Sequence, residues 1–422
     1  GKFNPDATET EWCDRRLLAR IHRLTINRLR AEIQPVSIAE YQRYLLAWQR
    51  VDPDYRAAGL DGVAAVLELL DGWELAAGAW EPEVLALRVR DYAPAALDQL
   101  CFAGRIGWGR LSMPESRDGR APVPVRSSPI SVFARENLRH WLNLTESPVR
   151  KDLSADAQRV VEVLSDRGAL FFGELCRSTH VLPSRVEVAL AELVAQGVIT
   201  ADGFEGLRAL LLPEEKRASF ASTPRRRRYK TVTSVEFGGR WSLLRTGGVH
   251  GTNVPPDLNS SREEAVETLA RVLLRRYGVV ARRMMEKETM RVAWFELLRV
   301  YRRLEARGEI RGGYFVGGVS GEQFARPEAI ELLRSLRKTE PKGEMTAISA
   351  ADPLNLVGIL TAGPRIPAVA AHRILLRDGV PVAFLKAGQV TEVNSQSPGP
   401  ARAIEQALRV GTMPLELRPY YG

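Results

Sequence analysis

Cysteine and histidine are scarce in this chain, and their scarcity narrows the chemistry. Three cysteines, Cys13, Cys101 and Cys176, stand far apart in 422 residues. They form no CxxC pair and no disulfide framework, which points to a reducing compartment and a cytoplasmic protein. The five histidines (His22, His140, His180, His250 and His372) show no HExxH or paired-ligand spacing, so no metal site is expected. No run approaches the ~18 apolar residues of a membrane span. No signal peptide opens the chain, and its first residues, Gly1-Lys2-Phe3-Asn4-Pro5, read as the edge of a fragment. A GxxxxGKS/T phosphate loop is missing as well, so the chain alone is not expected to hydrolyse ATP.

Arginine is abundant. Sixty Lys and Arg against 51 Asp and Glu leave a net charge of +9, in a chain that is 45% hydrophobic and 26% charged. That composition is ordinary for a globular protein of two to four domains. The positive excess favours a polyanionic partner, of which nucleic acid is the common one.

The most informative stretch is residues 294–316, WFELLRVYRRLEARGEIRGGYFV. Phe295, Leu298, Tyr301 and Leu304 keep roughly helical spacing, and Arg299, Arg302, Arg303 and Arg307 form the face between them. Gly308 tolerates the left-handed conformation that ends helices. Ile310, the Gly312-Gly313 turn and the apolar run at Tyr314 follow. A basic helix running into a small glycine hairpin is the pattern of a winged helix, whose helix enters a groove while its wing grips the backbone.

The pattern recurs. Leu100 and Gly104 lead to Ile106, Leu193 and Gly197 to Ile199, and Leu304 and Gly308 to Ile310. Each leucine stands four residues before its glycine, and the β-branched residue two after it. The irregular spacing of the copies excludes a solenoid. Three helix–helix–wing units are therefore expected.

The remainder fills in around them. Residues 11–33 form a helix with apolar Leu17, Leu18, Ile21, Leu24 and Leu29 and an arginine-rich outer face, and Ser37 caps a second helix in a capping box with Glu40. Beyond residue 318 come a helix at 326–338, short β-rich runs at 345–349, 373–376, 380–385 and 389–393, a helix at 401–410 and a last strand at 415–418. Asp378-Gly379 marks a hairpin. The fold class expected is α+β: tandem winged-helix units followed by a small antiparallel β-barrel-like domain. The boundaries are 1–150 for a helical region with the first unit, 151–212 for the second, and 213–261 for a basic linker with short strands. The third unit takes 262–318 and the barrel-like domain 319–422.

Candidate contact residues follow from charge and aromaticity. Arg225, Arg226, Arg227 and Arg228 are consecutive, and read either as a solvated loop or as a phosphate clamp. Trp108 lies between Gly107 and Gly109 in the first wing, flanked by Arg105 and Arg110, where it could stack on a base or pack in the core. Trp48 is a weaker stacking candidate. Asp352 and Asn355 stand in a turn, where turn hydrogen bonding is their expected role.

Several stretches together resemble the region that follows the motor in the large helicase-related (Lhr) family of superfamily 2 helicases. They are residues 11–23 (EWCDRRLLARIHR), Trp48-Gln49, 276–280 (RYGVV), 304–315, 321–325 (GEQFA) and 348–357 (ISAADPLNLV). The resemblance implies a protein that translocates 3′ to 5′ on single-stranded DNA and unwinds duplexes, notably RNA:DNA hybrids, in DNA repair. It implies also that the two RecA-like motor lobes, with their ATP and Mg, lie outside this chain and are its partners, and that the chain itself carries no cofactor. The same region looks like bacterial winged-helix DNA glycosylases, which use a Gln-x-Gln or Gln-x-Asp pair. Here Gln49 is followed by Arg50 and Val51, and Asp52 comes one residue late. The expectation is a nucleic-acid-binding module, with Arg105, Trp108, Arg110, Arg225, Arg226, Arg227, Arg228, Arg299, Arg302 and Arg303 as contacts. A glycosylase using Gln49 and Asp52 is the alternative, and a self-associating or partner-docking scaffold, such as a homo-oligomer, is the third reading.

Overall fold

The three leucine–glycine–isoleucine corners are one hydrogen-bonded device. The carbonyls of Leu100, Leu193 and Leu304 accept the N–H of the residue five positions on: Arg105 at 3.1 Å, Val198 at 2.9 Å and Glu309 at 3.0 Å. Gly104, Gly197 and Gly308 sit between at φ of +73°, +71° and +76°. They donate to Cys101, Val194 and Glu305. These are Schellman closures, in which a left-handed glycine lets the last turn satisfy its own carbonyls. Ile106, Ile199 and Ile310 then turn inward and are buried.

A computed structural model gives residues 8–9, 12–31, 33–112, 124–145, 153–212, 234–245, 261–361, 363–393, 401–409 and 414–421. The chain opens with α1 (Arg15–Ala31) and α2 (Ile38–Trp48), and α2 starts at the expected capping box of Ser37 and Glu40. The first unit holds β1 (Ala57–Ala58), α3 (Gly59–Leu69), β2 (Glu74–Ala76), α4 (Ala86–Arg88), β3 (Val89–Arg90), α5 (Pro94–Phe102), β4 (Ile106–Gly109), β5 (Pro129–Ala134) and α6 (Leu138–Leu144). The second holds α7 (Ala155–Arg167), β6 (Leu170–Phe171), α8 (Phe172–Thr179), α9 (Pro183–Ala195), β7 (Ile199–Ala201), α10 (Glu205–Leu211) and β8 (Arg240–Leu243). The third holds α11 (Arg262–Tyr277), β9 (Val279–Ala281), α12 (Trp294–Ala306), β10 (Arg311–Gly313) and β11 (Gln323–Ala325).

Each unit carries a three-stranded antiparallel sheet in which the last strand pairs with the other two: β2-β5-β4, β6-β8-β7 and β9-β11-β10. That shared order makes all three winged helices. β8 lies inside the stretch assigned to the linker, and β11 lies beyond residue 318, in the stretch assigned to the barrel. Only the pairing partner identifies each as part of its sheet.

After α13 (Pro327–Arg337) come β12 (Met345–Ser349), β13 (Arg373–Arg377), β14 (Val380–Lys386), β15 (Gln389–Glu392), α14 (Ala401–Arg409) and α15 (Arg418–Tyr421). β12 to β15 form a four-stranded antiparallel meander, with Asp378-Gly379 and Ala387-Gly388 at positive φ in its two hairpins. Among the described residues no sheet closes, so the barrel expectation is not met. Helices cover the faces instead. Leu375, Val382 and Ala383 pack with Ile404 and Leu408 of α14, whereas Ile374 and Leu376 join the core that contains α2. The expected strand at 415–418 is a short helical turn entering α15. Among the described residues, no helix is long and apolar enough to cross a membrane.

Three arginines with almost no solvent access join the parts. Arg88 pairs with Asp352 at 2.8 Å, tying the first unit to the loop after β12. Arg208 of α10 pairs with Glu81 at 2.6 Å and reaches Asp98, tying the second unit to the first. Arg276 of α11 pairs with Glu288 and donates to the carbonyls of Leu69 (3.3 Å) and Asp71 (2.7 Å), tying the third to the first. Burying a guanidinium is costly unless it is paired and hydrogen-bonded, and each of these three faces a carboxylate.

Candidate nucleic-acid interface

In a winged helix the third helix and the wing form the face that meets nucleic acid. In the third unit that helix is α12, which follows α11 and a short 3-10 helix at Arg282–Glu286. Its N-terminus is closed by the Glu296 carboxylate, which accepts the Ala293 N–H at 3.2 Å. Its core side is Leu297, Val300, Tyr301 and Leu304, with Tyr301 stacked on Phe324 at 5.1 Å. This is one step round from the expected face. Phe295, read as core, is 58% exposed. The i, i+3, i+4, i+7 set that starts at Leu297 covers α11 better than the set that starts at Phe295.

Neighbouring carboxylates engage much of the basic face. Arg303 binds Glu263 (2.8 Å) and Glu267 (2.7 Å), Arg302 binds Glu322 (2.9 Å), and Arg307 stands 3.6 Å from Glu309. Arg262 binds Glu296, and its hydrogen bond helps to hold that carboxyl below the usual range. Arg299 has no carboxylate at ion-pair distance among the described residues. Its guanidinium lies 5.4 Å over the exposed Phe295 ring. α12 thus offers an aromatic–cation pair outward, with Arg302 close by.

The wing is built to be rigid. The buried Gln323 carboxamide accepts from Phe315 N–H (2.9 Å) and Val316 N–H (2.8 Å), and donates to the carbonyls of Val316 (2.9 Å) and Val319 (3.1 Å). All four of its bonding positions are used. Tyr314, at the base of that hairpin, is 61% exposed, and Arg311 beside it is exposed too. Sequence reasoning passed over Tyr314, although it follows Gly313 much as Trp108 follows Gly107.

Trp108 is placed differently. It is wholly buried, edge-on to Phe204 and Trp241 at 6.2 Å each, and its indole N–H donates to the Gly203 carbonyl at 3.1 Å. β4 faces the second unit, where Thr200 Oγ1 donates to the Trp108 carbonyl at 2.6 Å. No ring face is left for a base, so the stacking expectation is corrected to packing. Arg110 is buried as well, donating to the carbonyls of Ala195 (2.7 Å) and Ser112 (3.2 Å). Trp48 is half-buried, stacked on Tyr44 and donating to the Arg275 carbonyl at 2.7 Å. Arg105 is exposed at the end of α5. Arg225, Arg226, Arg227 and Arg228 lie outside the described residues.

Both residues of the alternative catalytic pair are engaged in hydrogen bonds. Gln49 is buried, its amide donating to the Arg276 carbonyl (2.9 Å) and accepting from Arg88 (3.1 Å). Asp52 instead caps the turn at Pro53, accepting the Asp54 N–H at 2.9 Å. Asp352 does make the expected turn bond, to Leu354 N–H at 2.9 Å. The turn reading missed its ion pair with Arg88, because that partner lies 264 residues away.

Comparison with known proteins matches the first and third units. Residues 36–123 and 259–345 fit profiles of the winged-helix domain of the large helicase-related protein, its third and fourth respectively. The "Lhr helicase/ probable uracil glycosylase" of Mycolicibacterium smegmatis is 30% identical over 414 residues, 92% of this chain. Over most of its length the chain is thus similar to large helicase-related proteins. The "Lhr helicase/uracil glycosylase" of Escherichia coli is also 30% identical, over 85% of the chain. This chain spans about a quarter of the length of these Lhr relatives, 26% and 24%. Among solved structures, the Streptomyces sahachiroi DNA glycosylase AlkZ has a TM-score of 0.47 at 13% identity, over 89% of this chain and 95% of its own. A likeness that loose carries no functional argument.

Proposed function

We propose that this chain is the strand-gripping region of an ATP-dependent Lhr-type helicase, working in the cytoplasm in DNA repair. The observation that carries the reading is the outward face of α12 and its wing. Phe295, Arg299, Arg302, Arg311 and Tyr314 stand there on elements fixed from behind. Aromatic faces stack on bases at ~1–3 kcal/mol each, while guanidiniums pair with phosphates irrespective of sequence. Exposed Arg105 offers a further guanidinium, and the run at Arg225, Arg226, Arg227 and Arg228 adds four more positive charges to the sequence. Arg303 contributes less, because Glu263 and Glu267 already engage it. Single-stranded DNA, or the DNA strand of an RNA:DNA hybrid, is the ligand. The RecA-like motor lobes, elsewhere in the parent protein, supply ATP and Mg chemistry and 3′ to 5′ movement.

The reading is tested by titrating a labelled single-stranded 20-mer against the chain at two salt concentrations, read by fluorescence anisotropy. Micromolar or tighter binding that weakens steeply with salt supports it. Absence of binding at low salt overturns it and leaves the scaffold reading, with self-association as its function.

Base excision remains a second reading because both relatives carry uracil glycosylase in their names. The buried, hydrogen-bonded amide of Gln49 and the capping role of Asp52 weigh against that reading. Incubation with a uracil-containing oligonucleotide, followed by alkaline cleavage at abasic sites, decides it. Cleavage that persists in Gln49→Ala and Asp52→Ala variants would place the chemistry on other residues.

A further inference from the structure

A cleft of about 380 Å³ opens where the first unit meets the third. Ala64 and Glu68 of α3, Arg105, Glu136, Asn137 and Arg275 of α11 line it. Its two arginines differ from most of their neighbours. Arg262, Arg271, Arg302 and Arg303 all hold carboxylates. The guanidiniums of Arg105 and Arg275 have no hydrogen-bond or ion-pair partner among the described residues.

Their backbones, by contrast, are fixed. The Arg105 N–H closes the Schellman corner on Leu100, and its carbonyl accepts the Arg135 N–H at 2.9 Å. The Arg275 carbonyl takes the Trp48 indole N–H at 2.7 Å, and the next residue is the wholly buried Arg276. Two held stems thus present unspent donors to one space. Asn137 donates its amide N–H to Asp71 at 2.7 Å, which leaves its carbonyl oxygen as an acceptor with no partner among the described residues. Glu68 and Glu136 likewise make no ion pair among the described residues.

We infer that this cleft holds one nucleotide of a single strand, its phosphate clamped between Arg105 and Arg275. This rests on the nucleic-acid reading proposed above and assigns it a second contact, away from α12. A guanidinium fork matches phosphate oxygens bidentately. The Asn137 carbonyl and the two glutamates accept from base N–H or sugar O–H groups. The same glutamates repel a second phosphate, limiting the cleft to one. Its volume falls in the range of small-ligand pockets, about 300–1,000 Å³. A duplex cannot enter a space of that size, so the ligand is an unpaired strand.

The test measures affinity for the single-stranded 20-mer in the wild-type chain, Arg105→Ala/Arg275→Ala and Arg299→Ala, across a salt series. Neither deleted guanidinium bonds to another described residue, so the double variant is expected to keep the wild-type melting temperature. Should it melt early, Arg105→Lys/Arg275→Lys replaces it, keeping the charge and losing the fork. The cleft predicts about tenfold weaker binding in the alanine pair, with the slope of log K against log salt smaller by about 0.7 for the one phosphate lost. The lysine pair binds weakly too but keeps the slope. Wild-type affinity in both pairs, with Arg299→Ala still impaired, overturns the cleft and leaves the α12 interface standing. Failure of the wild-type chain to bind at all removes the proposed function and the cleft with it.

Discussion

Arg208 and Glu81 face each other with neither side chain reaching solvent, Nε to Oε2 at 2.6 Å and Nη2 to Oε1 at 3.0 Å. Tyr92 and Tyr421 donate their hydroxyls to the same carboxylate, at 2.6 Å and 2.7 Å. One bidentate pair therefore gathers the first unit, the second unit and the end of the chain. Replacing Arg208 by Met strands the buried Glu81 charge with only two phenols. Loss of one partner from a buried pair costs about 3–5 kcal/mol. Urea denaturation should show a loss of that order, and a change below ~1 kcal/mol would mean the pair does not hold the units.

Asp71 gives a pH signature. Its carboxylate accepts from the Ala134 N–H (3.1 Å), the Asn137 amide (2.7 Å) and the Trp141 indole (2.9 Å). Burial still outweighs these bonds and pushes its pKa up to about 6. The unfolded value is about 3.9, so between those pH values the native state binds the extra proton. Stability contributed by this site accordingly falls as pH rises from about 4 to about 6, and levels off above. Asp71→Asn removes the slope. The wild-type protein should lose up to about 3 kcal/mol relative to the variant across that window. Parallel pH profiles would contradict the assignment.

Gly278 ends α11 at φ +67° directly against Tyr44. A β-carbon there would overlap the Tyr44 hydroxyl and press on Ala329. Gly278→Ala should destabilise by ~2 kcal/mol or more, from strain and overpacking together. The Tyr44 hydroxyl is buried with no hydrogen-bond partner among the described residues. Adding Tyr44→Phe should recover part of the loss in thermal melts, whereas a purely additive pair would count against the clash.

Trp108→Ala should cost about 3–5 kcal/mol by emptying the seam between the first two units. At a temperature where the variant stays folded, its affinity for the strand should match wild type. A selective loss of affinity with unchanged melting would return Trp108 to the interface.

Local chemistry was legible in the sequence, and coverage was not. The Schellman corners needed only Leu, Gly and Ile at fixed offsets, all within one turn, so three winged helices could be read. Asp378-Gly379 announced its hairpin for the same reason. Trp108 carried every local mark of an exposed wing residue, and its burial is imposed by Phe204, Trp241 and Gly203 from another unit. Arg302 and Arg303 looked free until Glu322, Glu263 and Glu267 arrived from other elements. The open meander failed as a barrel for a like reason. Alternation identifies strands, but α2 and α14 decide which faces are covered.

The most direct measurement for the whole account is the affinity of the intact chain for a single-stranded 20-mer when the α12 face alone is altered. Arg299→Ala/Tyr314→Ala removes one guanidinium and one ring, both exposed, and should leave the melting temperature unchanged. The account predicts a loss of about 1–3 kcal/mol, roughly five- to 150-fold in Kd, with a smaller salt slope. Wild-type affinity and slope in that variant would contradict the claim that the third winged helix grips the strand.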